Sequence, residues 1–327
     1  MSADGAELSQ PGRGRNLRYP VPHPIAYQGS KRRLADAILD RVNPGQYQRL
    51  VEPFAGSAAV TLAAAAKGLF SFYLIGDSLA PLMRLWQSVI NAPEEVAENY
   101  EALWYRERKK PIDAFYEIRA EFNRDQDAAK LLYLLARCVK NSVRFNPSGE
   151  FNQSPDKRRK GTHPLTMRKE LHSAHKILKG RCRAVSGDFL SLIADAQEGD
   201  FFYLDPPYQG TSDGKDQRYF AGVSRSRMVE GLEMLNARRV PFILSYDGFC
   251  GDRTYGQPLP PSLARQTLLD VGRSSQATLN GRADVTVESL YISHCLADES
   301  LRTQYALSDF SRQVALFNYG NAAQLVS

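Results

Sequence analysis

Apolar residues recur along this chain in two rhythms. Short apolar-rich runs read as strands at Leu50–Glu52, Phe72–Ile75, Ala184–Ser186, Phe201–Leu204, Val240–Tyr246 and, late in the chain, Val287–Ser293, with Phe201–Leu204 apolar throughout and read as buried. Between them lies helical spacing. Leu34, Ile38 and Val42 form one stripe. An alanine-rich run follows Ala58 and stops at Gly68, where a glycine past a helix end is expected. Pro81 opens a helix with Leu82, Leu85, Trp86 and Val89 on one face. Phe115, Ile118 and Phe122 form a further stripe, as do Leu132, Leu135, Ala136 and Val139, and later Met228, Leu232 and Leu235. Strands alternating with helices predict an α/β sheet. From about Leu79 to Arg183 the pattern is helical only. The expected organisation is a mobile tail over 1–23, a discontinuous α/β domain over 24–78 and 184–327, and a mainly helical insertion over 79–183. Within the second half, Asp252 to Arg282 reads as a long excursion from the sheet.

The strand ends carry the chemistry. Phe201–Leu204 stops at Asp205-Pro206-Pro207-Tyr208. Two consecutive prolines have no N–H for a ladder, so the chain must turn there, at the carboxyl end of a strand where open α/β sheets bind ligands. The Asp205 carboxylate and the Pro206 carbonyl can each accept one N–H of an exocyclic amino group, with the ring of Tyr208 stacked on a planar base. Taken alone, the tetrapeptide also suits a plain Pro-Pro turn with a solvated Asp. Earlier, Glu52-Pro53-Phe54-Ala55-Gly56 links strand to helix through a glycine turn, and Phe72–Ile75 ends at Gly76-Asp77. An acidic residue about 20 positions past a glycine turn is placed for ribose hydroxyls. There is no Gly-x-Gly-x-x-Gly, which argues against a dinucleotide fingerprint. Glu52 suits a ligand carrying positive charge. At the start, Tyr27-Gln28-Gly29-Ser30-Lys31 permits a sharp turn with Ser30 as helix N-cap.

Charge changes the picture by its distribution. The net charge is +6 over 327 residues. From Tyr105 to Arg183 there are 20 Lys and Arg against 9 Asp and Glu, so the rest of the chain is slightly acidic. One region carries a basic surface suited to a polyanion. It contains Lys140-Asn141-Ser142-Val143-Arg144-Phe145-Asn146-Pro147-Ser148-Gly149-Glu150-Phe151-Asn152 and then Lys157-Arg158-Arg159-Lys160. Arg can read guanine and Asn can read adenine in a major groove; the same stretch also suits a polar β-hairpin with a solvated basic face. The four cysteines are far apart and form no Cys-x-x-Cys pair, predicting reduced thiols and no zinc site. His172 and His175 read as ordinary surface histidines, and no metal is expected. Without a membrane-length apolar run or a signal-peptide core, a cytoplasmic location is the expectation.

Taken together, these motifs in this order resemble the Dam-type adenine-N6 DNA methyltransferases, from about Ile25 to Ser293. The resemblance implies a Rossmann-like AdoMet-dependent methyltransferase sheet with an inserted DNA target-recognition domain. It implies catalytic residues Asp205, Pro206, Pro207 and Tyr208, and S-adenosylmethionine held by Tyr27, Lys31, Glu52, Phe54, Gly56, Asp77, Asp188, Phe189 and Asp205. Asp188 and Phe189 stand where the family contacts the cofactor's adenine. DNA contacts are implied at Lys140, Asn141, Arg144, Asn146, Asn152, Lys157 and Arg158. The chain departs from the family at Ser57-Ala58, where a second glycine is usual, and at Gln153-Ser154-Pro155-Asp156, in place of Val-Pro-x-Gly. The expected partner is double-stranded DNA, with a restriction endonuclease sharing the site as a functional rather than physical companion, and the chain is expected to act as a monomer. Rival readings are an N4-cytosine or RNA amino methyltransferase and an inactive DNA-binding relative; the Asp heading the clamp favours adenine.

Overall fold

A computed structural model describes residues 20–106, 111–207, 223–250, 253–255, 258–273 and 285–297. Five parallel strands form the frame: β1 (Arg49–Glu52), β2 (Phe72–Asp77), β3 (Cys182–Ser186), β4 (Asp200–Leu204) and β5 (Phe242–Cys250). They are followed by β6 (Arg253–Tyr255), β7 (Arg265–Arg273) and β8 (Val285–Ile292). The order across the sheet is β3-β2-β1-β4-β5-β8-β7, with β6 paired to β5. β8 runs antiparallel to both neighbours. The strand order reverses between β1 and β4, the position where an open sheet leaves a crevice at its carboxyl edge. Because β8 is antiparallel, its first residues lie at that same edge.

Both faces of the sheet are covered, so its central strands are apolar on both sides. All five residues of β4 are buried. On one face Phe201, Tyr203 and Ile243 pack with α2 (Ala59–Lys67), α3 (Ala80–Asn91), α6 (Ala128–Arg137) and α7 (Pro164–Leu178). On the other, Phe202, Leu204 and Phe242 pack with α8 (Phe189–Ala194) and α9 (Arg225–Ala237). The helices of 79–183, which include α4 (Pro93–Arg106) and α5 (Pro111–Asp125), thus share one continuous apolar core with the sheet. Trp86 on α3 donates its indole N–H to the Gly56 carbonyl at 2.9 Å, tying the helical stretch to the glycine turn.

Several expectations need correction. The 34–42 stripe gives a 3₁₀ turn, Lys31–Arg33, and then a short α1 (Ala35–Leu39); Val42 is buried in the turn that follows. Val139 is not on the helix of Leu132 and Leu135. That helix ends at Arg137, and Lys140 and Asn141 then take left-handed backbone angles that no helix continues. The proposed excursion over 252–282 contains β6 and all of β7, which pairs along β8. A bulge interrupts the β7–β8 ladder between Asp270 and Gly272. Gly68 does close α2 in the left-handed conformation. His175 is half-buried, its Nδ1 2.7 Å from the Ile90 carbonyl oxygen, and His172 pairs with Glu94. Cys138 and Cys182 are free and buried, and Cys295 is free and half-buried. Among the described residues no helix is long and apolar enough to cross a membrane.

Adjacent starts of β1 and β4 are clamped by Arg49, whose Nε and Nη2 donate to Asp200 at 2.8 and 2.6 Å. Asp200 is buried and also accepts the Gln197 N–H at 2.8 Å. Asp200→Asn should cost about 1–3 kcal/mol, read as a lower urea midpoint with unchanged slope. An unchanged midpoint would show that the clamp adds nothing.

Candidate active site

One cavity of about 260 Å³ opens at the carboxyl edge of β1, β2 and β4. Its floor is the glycine turn after β1. Gly56 has φ +48, and a Cβ there would stand 3.1 Å from the Tyr27 ring, so that turn needs glycine both for its angle and for the space. Ala58 takes φ 49 and starts α2 without a side-chain cap. Glu52 supplies the missing acceptor: its carboxylate takes the Thr61 N–H at 2.9 Å and the Thr61 hydroxyl, in the first turn of α2. Ser30 stands at the N-cap position of the Lys31–Arg33 turn, but its hydroxyl caps no N–H there and accepts a hydrogen bond from the Ser57 hydroxyl at 2.8 Å, joining the N-terminal motif to the glycine turn.

Three carboxylates face this cavity, each held differently. Asp77 accepts the N–H groups of Leu79 at 3.0 Å and Gly56 at 3.2 Å. Burial pushes its carboxyl up, and those two donors pull it back. Glu52 is buried, and desolvation pushes it up to about 8 against the pull of the Thr61 donors; the nearby negative charge of Asp205 adds to the rise. Asp205 is also raised by burial, with Lys31 opposing the shift. Lys31 Nζ lies 2.7 Å from Asp205 Oδ1 and 3.7 Å from Glu288 Oε2 on β8.

Of the residues singled out in the sequence, Tyr27, Lys31, Glu52, Phe54, Gly56, Asp77, Asp205, Pro206 and Pro207 line this one cavity. Tyr208 lies outside the described residues, as do residues 1–19 of the expected tail; the tail's last residues are not loose, since Pro22 is buried, Val21 packs on the core and the His23 N–H donates to Glu170 at 2.6 Å. Phe189 stands behind the wall, its ring centroid 5.0 Å from that of Phe54. Asp188 caps α8 by accepting the Leu190 N–H at 2.9 Å and pairs with Arg227 at 2.7 Å; it does not line the cavity.

The basic stretch forms a second wall. Val143 and Phe145 line the cavity, and the Asn141 carbonyl accepts the Gln28 N–H at 3.0 Å. Phe145 and Phe151 bridge as an antiparallel pair around the Pro147-Ser148-Gly149 turn, so the hairpin is real. Two of the expected base readers are committed within it. Asn146 donates to the Glu150 carboxylate at 2.8 Å and accepts the Glu150 N–H at 2.9 Å. Asn141 donates to the Leu135 carbonyl at 2.8 Å and accepts from Arg159. Lys140, Asn152, Lys157 and Arg158 are exposed, and Arg144 is half-buried beside them. Sequence reasoning missed Ser30 and Ser57 as a joint, Val143 and Phe145 as cavity wall, and Glu288. Phe145 stood in a motif already noted; Glu288 carries no local signal, because only the β5–β8 register brings it to the edge.

The geometry therefore offers a carboxylate-rich cavity with a proline-fixed acceptor at its mouth, beside a basic hairpin. Residues 27–270 match the family model described as D12 class N6 adenine-specific DNA methyltransferase. The chain belongs to that family. Retron Ec67 DNA adenine methylase of Escherichia coli is 29% identical over 221 residues, covering 63% of this chain and 73% of the relative. The DNA N-6-adenine-methyltransferase of Escherichia phage P1 is 29% identical over 169 residues, 50% of this chain but 21% of that protein. The type II methyltransferase M1.LlaDCHI of Lactococcus lactis subsp. cremoris is 28% identical over 193 residues, 56% of this chain and 64% of the relative. For a D12 class enzyme, an α/β sheet with its cavity at the switch between β1 and β4 is the expected frame.

Glu52 gives a pH test. Its carboxyl is raised from the ordinary 4.5 to about 8 in the fold. The unfolded chain therefore releases this proton first. The stability contributed by the protonated form is full below the unfolded value and is lost as pH rises through 8. Glu52→Gln should match wild type near pH 4.5 and exceed it at pH 8.5 by on the order of a few kcal/mol. Urea unfolding at the two pH values reads this; parallel pH slopes would contradict it.

Proposed function

We propose that this enzyme moves the methyl group of S-adenosylmethionine to N6 of an adenine flipped out of duplex DNA at a specific site. The observation that carries the reading is the half-buried Asp205 beside the buried Pro206 in a cavity whose other carboxylates suit a cationic, ribose-bearing ligand. The donor set fits that cofactor. Asp77, at the end of β2, suits ribose hydroxyls. Asp205 provides negative charge for a positively charged ligand, Glu52 a buried acceptor that such a ligand would help to ionise, and Phe54 with Tyr27 apolar walls. When bound, S-adenosylmethionine supplies an electrophilic methyl on a sulfonium.

The protein's part is to make a poor nucleophile competent. Adenine N6 shares its lone pair with the ring, and inside a duplex it is out of reach; flipping costs a few kcal/mol. Asp205 and the Pro206 carbonyl accept the two amino hydrogens and draw N6 towards tetrahedral geometry. Its lone pair is then free to form the new C–N bond, and the positive charge that develops on N6 meets acceptors already in place. The new C–N bond replaces the donor's S–C bond, whose electron pair stays on sulfur as a neutral thioether, and the extra proton on N6 is released to solvent after transfer. Tyr208, following the clamp, stacks on the base and returns roughly 1–3 kcal/mol of the flipping cost. Arg144, Asn152, Lys140, Lys157 and Arg158 supply the DNA contacts, with 79–183 as the target-recognition part. The Asn141 and Asn146 side chains shape the hairpin rather than read bases. The type II methyltransferase among the relatives supports a modification role beside an endonuclease of the same site.

Asp205→Ala should lower single-turnover methyl transfer by at least about 10³-fold while leaving duplex affinity within a few-fold. Turnover close to wild type would remove Asp205 from the reaction.

A further inference from the structure

The mechanism leaves one charge unaccounted for. Lys31 is 6% exposed, and its ammonium sits 2.7 Å from Asp205 Oδ1. That is the carboxylate the base's amino group must use. An ammonium kept there competes for the acceptor, and it also stands close to a nitrogen that becomes positive during transfer. Lys31 therefore has to yield Asp205 without becoming a stranded buried cation.

A second carboxylate is within reach. Glu288 Oε2 lies 3.7 Å from Lys31 Nζ, and its side chain is 15% exposed. Glu288 arrives from a different element, β8, whose antiparallel direction brings its start to the edge of the cavity. The β5–β8 pairing slips by one residue between Ser245 and Gly248, opposite Leu290 and Glu288. A lysine stem with its many rotamers can carry the ammonium the short distance between the two carboxylates.

We propose that Glu288 is a positioning residue for methyl transfer: it takes up the Lys31 ammonium when the amino group of the target adenine claims Asp205. This rests on the reading of Asp205 as the amino-group acceptor. No covalent bond changes in the step; a hydrogen-bonded ammonium moves from one carboxylate to another, and the site's net charge stays the same.

A double-mutant cycle tests it, using full-length protein, tritiated S-adenosylmethionine and mixed-sequence duplex DNA under single-turnover conditions. Glu288→Gln should slow transfer roughly 10- to 100-fold, the range of coupling between contacting groups. Cofactor and duplex affinities and the unfolding midpoint should stay close to wild type. Glu288→Asp should restore much of the rate. In a Lys31→Met background, Glu288→Gln should cost less than about twofold, since the ammonium it receives is gone. Equal costs in both backgrounds, or an unaffected Glu288→Gln enzyme, would overturn the proposal. Lost activity in Asp205→Ala alongside such a result would show that the clamp stands while the Glu288 role fails; an active Asp205→Ala enzyme would remove the clamp itself. Should Lys31→Met be too slow to read, a crystal structure with sinefungin and the mapped target duplex decides. Lys31 Nζ at hydrogen-bond distance from Glu288 supports the proposal, and Lys31 still on Asp205 overturns it.

Discussion

The ion pair between Lys31 and Asp205 joins the two segments that the cavity needs: the N-terminal Tyr27–Lys31 motif and the end of β4. Asp205 and Glu52 face the same small, poorly solvated space. Lys31 lies directly on Asp205, while Glu52 is left with the hydrogen bonds from Thr61 and is pushed up to about 8. Much of the surrounding construction follows from keeping this arrangement in register. The Arg49–Asp200 clamp fixes β4 beside β1, and the Ser57–Ser30 hydrogen bond fixes the N-terminal motif over the glycine turn. The Asn141 carbonyl then anchors the same motif to the basic hairpin.

This arrangement divides the labour between a stiff base and an adaptable rim. Groups proposed to hold the cofactor sit at strand ends, where backbone geometry is settled by a two-sided apolar core, and on the N-terminal motif tied down to the glycine turn. Groups proposed to touch DNA sit on the hairpin and on the exposed cations that follow it. The coupling between these parts is direct, because Val143 and Phe145 belong to the hairpin and also line the cavity.

Much of the frame was legible in the sequence because it rests on local rules. Apolar-rich runs marked the parallel strands, the prolines after Leu204 marked the end of β4, and Gly68 marked the end of α2. Nine of the residues expected at the site meet in one cavity: seven sit at or just past the carboxyl ends of β1, β2 and β4, which parallel strands bring to one edge, and Tyr27 and Lys31 come from the N-terminal motif laid over it. What was not legible depends on contacts distant in sequence. The ladder that makes Arg265–Arg273 a strand exists only through its partner β8. Glu288 reaches Lys31 only through sheet order and the antiparallel direction of β8. The side chains of Asn141 and Asn146 look free to read bases in the sequence, yet Asn141 is tied to α6 and Arg159 and Asn146 to Glu150 in the hairpin. Asp188 likewise serves its own helix before any ligand.

The central claim is that this site methylates the exocyclic nitrogen of adenine in DNA. Its most direct measurement is nucleoside analysis of duplex DNA of mixed sequence after incubation with purified protein and tritiated S-adenosylmethionine. The account predicts label in N6-methyladenine alone, confined to one short sequence when the modified positions are mapped. Label in N4-methylcytosine, or cofactor binding with no transfer to any DNA, would contradict it.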